Sequence, residues 1–312
     1  MVAISWTLFQ LWYASPFPFI FNFGQFIDVP ARAIHLCFGL TLCFLIYPAK
    51  KKLRNSIITF SDLVFVILSI IVTMYLVIDY EGLVNRQGIL AELEIFNLNI
   101  PYELIIGATG IFMLLEATRR AIGLPLVIIA VIFLLFSLFG KQMPELIAHA
   151  GLSLKRLVGY HWLGGEAIFG IPISVSVSFI FLFVLFGAIL DTAGGGKYFL
   201  NLAFALVGKM RGGPAKAAIL ASGLTGMISG SSVANTVTTG TFTIPIMKKT
   251  GLPAVKAGAV EVAASVNGQI MPPIMGAAAF VMAELLGIPY FTVVTHAFLP
   301  AVISYIALFY IS

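Results

Sequence analysis

The chain has 312 residues, of which 60% are apolar and 10% are charged. A soluble domain is typically about 45–50% apolar and about 25% charged. The mean hydropathy of +1.04 agrees with this difference, so the composition excludes a soluble globular domain and an intrinsically disordered chain. It also gives no support to nucleic acid as a partner, because membrane topology explains the net charge of +5.

Long apolar runs predict an all-α polytopic membrane protein whose main partner is the lipid bilayer. A spanning helix needs roughly 17–25 mostly apolar residues, and we expect about seven or eight such helices. The first 27 residues are apolar but contain Pro16 and Pro18, so they are either the tail of a further span or an interfacial segment. The candidate spans lie at about 33–49, 58–79, 103–118, 122–140, 171–191, 254–285 and 292–312.

Basic residues form four groups, and counting the spans puts all four on the same face of the membrane. This face holds thirteen of the 18 basic residues, so the positive-inside rule makes it cytoplasmic. The groups are Lys50, Lys51, Lys52 and Arg54; Arg119 and Arg120; Lys197, Lys209, Arg211 and Lys216; and Lys248, Lys249 and Lys256.

Residues 214–247 predict a re-entrant helical hairpin, because they are apolar but dense in Gly, Ala, Ser and Thr. Each arm, about 214–229 and 236–247, is only about 18–24 Å long as a helix, against a hydrocarbon core of roughly 30 Å. The polar tip, Gly230–Asn235, is tolerated at membrane depth only inside protein or beside a water-filled cavity. A pair of short, tightly packed spans is the alternative.

The run 254–285 predicts a broken helix. It is too long for one straight span, and it is interrupted by Asn267-Gly268-Gln269-Ile270-Met271-Pro272-Pro273. Two prolines remove two amide donors and disfavour helix before them. We expect one half to end near Asn267 and the other to start near Pro273, with a simple proline kink as the alternative.

These two interruptions together predict the ion and substrate site of a secondary transporter. The first arm and the first half-helix end there with unpaired carbonyls, which can replace the water shell of a sodium ion. The second arm and second half-helix begin there, and their amides favour a carboxylate. The expected sodium ligands are Ser231, Asn235, Asn267 and Gly268, with Asn235 at the tip, where truncation leaves the packing undisturbed. The expected substrate contacts are Ser232, Thr236, Thr238, Thr239, Pro272 and Pro273.

Acidic residues in or at the ends of the spans are further candidates. Glu116 lies one helical turn from Arg119 and Arg120. Glu261 is expected about one turn into its span, facing the cytoplasm, with local pairing and a further role both open. The four histidines share no ligand spacing, so we expect no metal other than sodium. No base lies near Ser231, which argues against an enzyme such as an intramembrane hydrolase. The four acidic candidates are Glu116, Asp191, Glu261 and Glu284.

Two segments, ISGSSVANTVTTGTFTIPIMKKTG from Ile228 and AGAVEVAASVNGQIMPPIMGAAAF from Ala257, strongly resemble the large membrane subunit of tripartite ATP-independent periplasmic (TRAP) transporters. EATRRAIGLPLVIIA from Glu116 and FGIPISVSVSFIFLFVLFGAIL from Phe169 resemble the branch in which the small four-helix subunit and the large subunit share one chain.

This resemblance implies a sodium-driven, elevator-type importer of small organic acids in a bacterial or archaeal cytoplasmic membrane. A periplasmic substrate-binding protein would deliver the substrate, with Na⁺ as coupling ion and no cofactor. Residues 1–145 would correspond to the small subunit and 146–312 to the first inverted repeat of the large subunit, with an amphipathic arm at about 197–210.

The chain differs from the TRAP pattern in one respect. It has one hairpin and one broken helix where the large subunit has two sets, and it begins and ends inside apolar runs. We therefore expect a fragment that needs the remaining part of the large subunit, and no transport by residues 1–312 alone. A non-transporting structural subunit that scaffolds a larger complex is the alternative function.

The basic groups predict that residues 50–56, 119–121 and 248–253 face the cytoplasm. Single cysteines introduced there should resist an impermeant thiol reagent in intact cells, whereas one at 92–98 should be labelled. The reverse labelling pattern would contradict the predicted topology and the cytoplasmic entry of the hairpin.

Overall fold

A computed structural model of the chain describes residues 1–26, 28–49, 59–86, 89–95 and 98–312. These residues are helical apart from connecting turns and one short antiparallel hairpin, in which β1 (Leu93–Ile95) pairs with β2 (Leu98–Ile100). The all-α fold class is thereby confirmed. The predicted cytoplasmic loop at 50–56 lies outside the described residues.

The chain divides into two compact units, Met1–Val177 and Ser178–Ser312. The boundary falls inside a continuous helical stretch of π and α turns, Ile171–Thr192. The helices of the first unit are α1 (Val2–Ala14), α2 (Phe17–Phe21), α3 (Val29–Ile46), α4 (Phe60–Ile78), α5 (Tyr80–Asn85), α6 (Tyr102–Ala121), α7 (Leu124–Leu138), α8 (Leu154–Val158) and α9 (Ile171–Val175). Those of the second are α10 (Phe181–Thr192), α11 (Gly195–Val207), α12 (Gly213–Ser229), α13 (Ser232–Lys249), α14 (Ala254–Gly268), α15 (Ala277–Leu286) and α16 (Tyr290–Ile311).

Four helical stretches of the described residues are long and apolar enough to cross a bilayer. The helices α7 and α15 are apolar but shorter, and α6 carries four charged residues near its ends. The predicted number of seven or eight spans therefore stays a prediction. The four stretches are Val29–Ile46, Phe60–Ile78, Ile171–Thr192 and Tyr290–Ile311.

The core of the first unit forms where α3, α4 and α6 meet around Trp162. The indole of Trp162 is fully buried and donates to the Val72 carbonyl at 3.3 Å. It fits because α6 has a glycine beneath it: a Cβ at Gly110 would lie 2.0 Å from the ring. By contrast, α7 has no buried residue although its sequence is almost wholly apolar, which suits a helix that faces lipid.

Polar clusters fix both ends of this helical core. At one end Arg86 pairs with Asp79 at 2.6 Å and with the buried Glu103. The hydrogen bonds from Arg86 and Tyr75 hold the pKa of Asp79 below its ordinary value. At the other end Glu116 pairs with both arginines that follow it, as its spacing predicted.

Arg120 is the centre of the second cluster. Its guanidinium lies 2.6 Å from Asp62, and both side chains are almost fully buried, at 1% and 2% exposure. It also lies 4.9 Å and 4.7 Å from the ring centres of Phe44 and Phe65. A cation in this position joins α3, α4 and α6 through charge and through its contacts with aromatic faces.

Arg120→Ala should therefore destabilise the protein by about 3–5 kcal/mol, because it leaves a buried carboxylate unpaired. Arg119→Ala is the matched control: its side chain is 40% exposed, so its loss should cost at most about 1 kcal/mol. Thermal unfolding of the purified protein in detergent measures the difference. Equal unfolding temperatures for the two variants would contradict the buried-pair interpretation.

In the second unit α11 packs along α12 through small side chains. Ala203 meets Ala217 and Ala221, all three fully buried, and larger side chains such as Leu200 and Phe204 cover them. The amphipathic arm predicted at about 197–210 is thus a helix that begins at Gly195 and ends at Val207. It ends early because Gly208 begins a series of turns that leads into α12.

Candidate functional site

The two helices α12 and α13 form a helical hairpin whose tip is Gly230 and Ser231. Gly230 ends α12 with a positive φ of +59°, a conformation that glycine adopts without steric cost. The Ser231 hydroxyl caps α13 by accepting from the Ala234 amide at 3.3 Å. Because of this cap α13 begins at Ser232, so the six-residue tip predicted from the sequence is wrong and the turn is tighter.

The broken helix consists of α14, which ends at Gly268, and α15, which begins at Ala277. The second half starts four residues later than predicted. Tyr290 supplies the reason, because its hydroxyl donates to the carbonyls of Pro273, at 3.1 Å, and Ile274. The loop is closed by the Gly276 amide, which donates to the Gln269 carbonyl at 2.7 Å.

The hairpin and the broken helix meet at two glycines. A Cβ at Gly226 would lie 2.6 Å from the Cα of Gly268, so the backbones of α12 and α14 are in direct contact. Asn235 is fully buried beside this contact. Its Nδ2 donates to the carbonyl and hydroxyl of Ser222 at 2.8 Å and 3.0 Å.

This position corrects the expectation that Asn235 lies at an unpacked tip. The side chain ties α13 to α12, so its truncation also removes a hairpin contact. Its Oδ1 is buried and accepts no hydrogen bond from the described residues. A buried carbonyl oxygen without a donor is costly unless a ligand occupies its lone pairs.

The sequence predicted unpaired carbonyls at the C-termini of both α12 and α14, but the structure has them only at the C-terminus of α12. At the end of α12, the carbonyls of residues 227–229 accept no hydrogen bond from the described part of the chain. At the end of α14, the carbonyls of Val266, Asn267 and Gly268 accept from the next turn, at 3.1, 3.1 and 3.2 Å. The prediction of free carbonyls at the first half-helix is therefore wrong, because the chain continues there in tight turns.

A cavity of about 860 Å³ opens between the hairpin tip, the break and the helices α15 and α16. Its walls are mostly apolar, and the first turn of α15, Ala277–Ala279, forms part of them. Its polar side chains are Ser231, Gln269, Thr292 and His296. The sequence did not assign the last three to the site. Gln269 lies in the predicted interruption, whereas Thr292 and His296 reach the cavity only because α16 packs beside it.

Most of the predicted site residues do not line this cavity. Of the ten, Ser231 alone is part of its wall. Thr238 and Ser231 line a second cavity of about 430 Å³ on another side of the hairpin. The hydroxyls of Thr236, Thr238 and Thr239 donate to carbonyls four residues earlier in α13, each at 2.8 Å.

Glu261 differs most from its expected position. It lies in the middle of α14, fully buried, rather than near a cytoplasmic end. Its partners are the hydroxyls of Thr239, Thr243 and Ser265. The spacing of Glu261 and Ser265 by one turn was visible in the sequence, but the threonines belong to another helix.

A sequence profile of the DctM component of tripartite ATP-independent periplasmic transporters matches residues 109–312, nearly two thirds of the chain. The chain therefore belongs to this family. Over 153 residues, 49% of the chain, it is 35% identical to an uncharacterized protein, YgiK, of Salmonella typhimurium, covering 32% of that protein.

Two further relatives carry functional names. The chain is 35% identical over 100 residues, 32% of its length, to a putative TRAP transporter large permease protein of Haemophilus influenzae, covering 24% of it. It is 36% identical over 91 residues, 29% of its length, to the C4-dicarboxylate TRAP transporter large permease protein DctM of Pseudomonas aeruginosa, covering 21% of it. The match thus spans a third or less of each of these relatives. No solved structure matches the chain.

Substitution of glycine by alanine should have opposite effects at Gly226, which is in close contact with Gly268, and at Gly258, which has open space around it. Gly226→Ala should destabilise the protein by about 1–3 kcal/mol, because the new methyl group overpacks the contact with Gly268. Gly258 is the matched control, since a Cβ there would meet nothing within 4 Å. Gly258→Ala should stabilise α14 by about 0.5–1 kcal/mol. Thermal unfolding in detergent measures both, and a Gly226→Ala protein as stable as wild type would contradict the close approach.

Proposed function

We propose that the chain is part of the membrane permease of a sodium-coupled secondary importer of small organic acids, which a periplasmic binding protein delivers. One observation carries the proposal: the free amides at the start of α15 line the 860 Å³ cavity, and so do Gly230 and Ser231, which directly follow the free carbonyls at the end of α12. Membership of the DctM family supports it. So does the name of the Pseudomonas aeruginosa relative, a C4-dicarboxylate permease.

The amide end is the start of α15. The amides of Ala277 and Ala278 have no backbone acceptor among the described residues, and both residues line the 860 Å³ cavity. A helix N-terminus with free amides attracts an anion. The side chains of Ser231 and Gln269 at the same cavity add hydrogen-bonding groups. A small carboxylate matches this combination of free amides and mostly apolar walls.

The carbonyl end is the end of α12. Three carbonyls there lack donors. The Oδ1 of Asn235 is buried without a partner, and its amide lies beside Gly226 in the last turn of α12. Neutral oxygens of this kind are the hard ligands that a sodium ion accepts. Ser231, Asn235, Asn267 and Gly268 stay our proposed sodium ligands, and Asn235 is the best supported of them.

The remaining part of a longer permease and the binding protein are proposed partners, since the chain matches only a third or less of its relatives. The alternative, a structural subunit that scaffolds a complex, predicts no uptake under any ion gradient. Sodium-driven uptake of a dicarboxylate by proteoliposomes that contain the intact permease and its binding protein separates the two functions.

In that assay Asn235→Ala should raise the sodium concentration for half-maximal uptake about tenfold or more, since a contact to a charged group contributes about 1.5–3 kcal/mol. Asn267→Ala should raise it in the same direction. Asn201→Ala, on the exposed side of α11, is the matched control and should change nothing. Unfolding temperatures separate lost binding from lost packing. If both site variants keep the wild-type sodium dependence, the ion binds elsewhere.

A further inference from the structure

Glu261 lies in a closed polar pocket between α13 and α14. Its side chain is 0% exposed. The pocket exists because Gly240 on α13 has no side chain: a Cβ there would lie 3.1 Å from the Cγ of Glu261. A carboxyl group in this position has lost all contact with water, so its surroundings must supply everything that water did.

The surroundings supply hydroxyls and no cation. Thr239 and Ser265 lie beside Oε1, the latter at 3.4 Å, and Thr243 lies beside Oε2. Within the described part of the chain no basic side chain is within ion-pair distance of Glu261. The titratable and charged groups on α14 itself and on the helices packed against it are Lys216 on α12, Lys248 and Lys249 on α13, Lys256 on α14, and Tyr290, His296, Tyr305 and Tyr310 on α16.

The tyrosine that bonds to α14 does not neutralise the carboxyl. The Tyr305 hydroxyl donates to the Ala264 carbonyl at 2.8 Å, and tyrosine carries no positive charge. An ionised carboxylate buried without a cation is strongly unfavourable, and such a group takes up a proton instead.

The hydrogen atoms of the pocket can be counted. Thr239 Oγ1 also lies 2.8 Å from the Asn235 carbonyl, and Thr243 Oγ1 lies 3.0 Å from the Thr239 carbonyl. Each threonine hydroxyl has one hydrogen. If the carboxylate is ionised, these two hydrogens must be shared among four acceptors, which are the two backbone carbonyls and the two carboxylate oxygens. A proton on Oε2 donates to Thr243, whose own hydrogen then goes to the Thr239 carbonyl. The protonated state therefore satisfies one contact more.

A metal ion does not fit in the same place. The threonine hydroxyls are in direct hydrogen-bonding contact with both carboxyl oxygens, which leaves no gap for an ion between them. In addition, Glu261 is not part of the walls of the 860 Å³ and 430 Å³ cavities beside the hairpin.

We propose that Glu261 is a proton-binding site: its carboxylate takes up one proton from hydronium in the solvent and holds it while α13 packs on α14. One O–H bond forms on the carboxylate, one O–H bond of hydronium breaks to leave water, and no electrons move. Because the carboxyl is fully buried, exchange of this proton with water requires the two helices to part. The site is separate from the proposed sodium ligands. Its spectroscopic test does not depend on transport, whereas the test by uptake rests on the proposed function.

Infrared spectroscopy of the purified intact permease tests the proposal at neutral pH. We expect a carbonyl band of a protonated carboxylic acid that is lost in Glu261→Gln. Glu284→Gln is the matched control. Glu284 is exposed on α15, so this variant should keep the band. An unchanged band in Glu261→Gln would mean that the carboxyl is ionised and would overturn the proposal.

Thr243→Val provides a second test if Glu261→Gln does not fold. It keeps the Glu261 carboxyl group but removes one of its hydrogen-bond partners. This variant should shift the frequency of the carboxylic acid band. A band at the wild-type frequency in Thr243→Val would also contradict the proposal.

In reconstituted permease, substrate uptake by wild type should fall as the pH rises, whereas Glu261→Gln, which is always neutral, should lose this dependence. An identical pH profile for the two proteins would overturn a role for the proton in the working protein.

Discussion

The contact of Gly226 with Gly268 is the constraint on which the second unit depends. Helices in a bilayer gain little from burying apolar surface against each other, so close packing of small residues has to hold them together. The first arm of the hairpin consists largely of Gly, Ala and Ser for this reason, and its buried positions include Ala217, Ala218 and Ala221. Because the backbones touch, the short side chains of Ser222, Asn235 and Ser265 reach each other across three helices.

Backbone hydrogen bonding explains why the two interruptions differ. Every buried amide and carbonyl in a membrane protein needs a partner, since hydrocarbon offers none. At the break the partners come from within the protein: the next turn for the end of α14, and Tyr290 for the carbonyls around Pro273. At the hairpin tip the carbonyls of residues 227–229 lack such partners. The chain itself thus satisfies the break, whereas the tip keeps three carbonyl oxygens without a donor among the described residues.

The fold was more predictable than the site, for a physical reason. Glycine, serine and proline act on the nearest few residues, so the hairpin and the break could be located from the sequence. The length of the tip depended on one side chain, the Ser231 cap, and the restart of α15 on the distant Tyr290. The hydrogen-bond partners of Glu261 could not be predicted from the sequence, because the two threonines lie 22 and 18 residues away on another helix. Local patterns specify elements, while long-range packing decides which polar groups meet.

The polar groups that do meet form one connected chain between the tip and the acid. Asn235 donates to the Ser222 hydroxyl, Ser222 lies 3.1 Å from the Ser265 hydroxyl, and Ser265 donates towards Glu261. Since Asn235 must use its Nδ2 as the donor, the hydroxyl of Ser222 is free to donate onward, and all the bonds run in one direction. The same direction leaves Oδ1 of Asn235, the oxygen, without a partner. The Ser222 carbonyl and hydroxyl therefore fix the orientation of the proposed sodium ligand Asn235, and the chain of hydroxyls that starts there ends on Oε1 of Glu261.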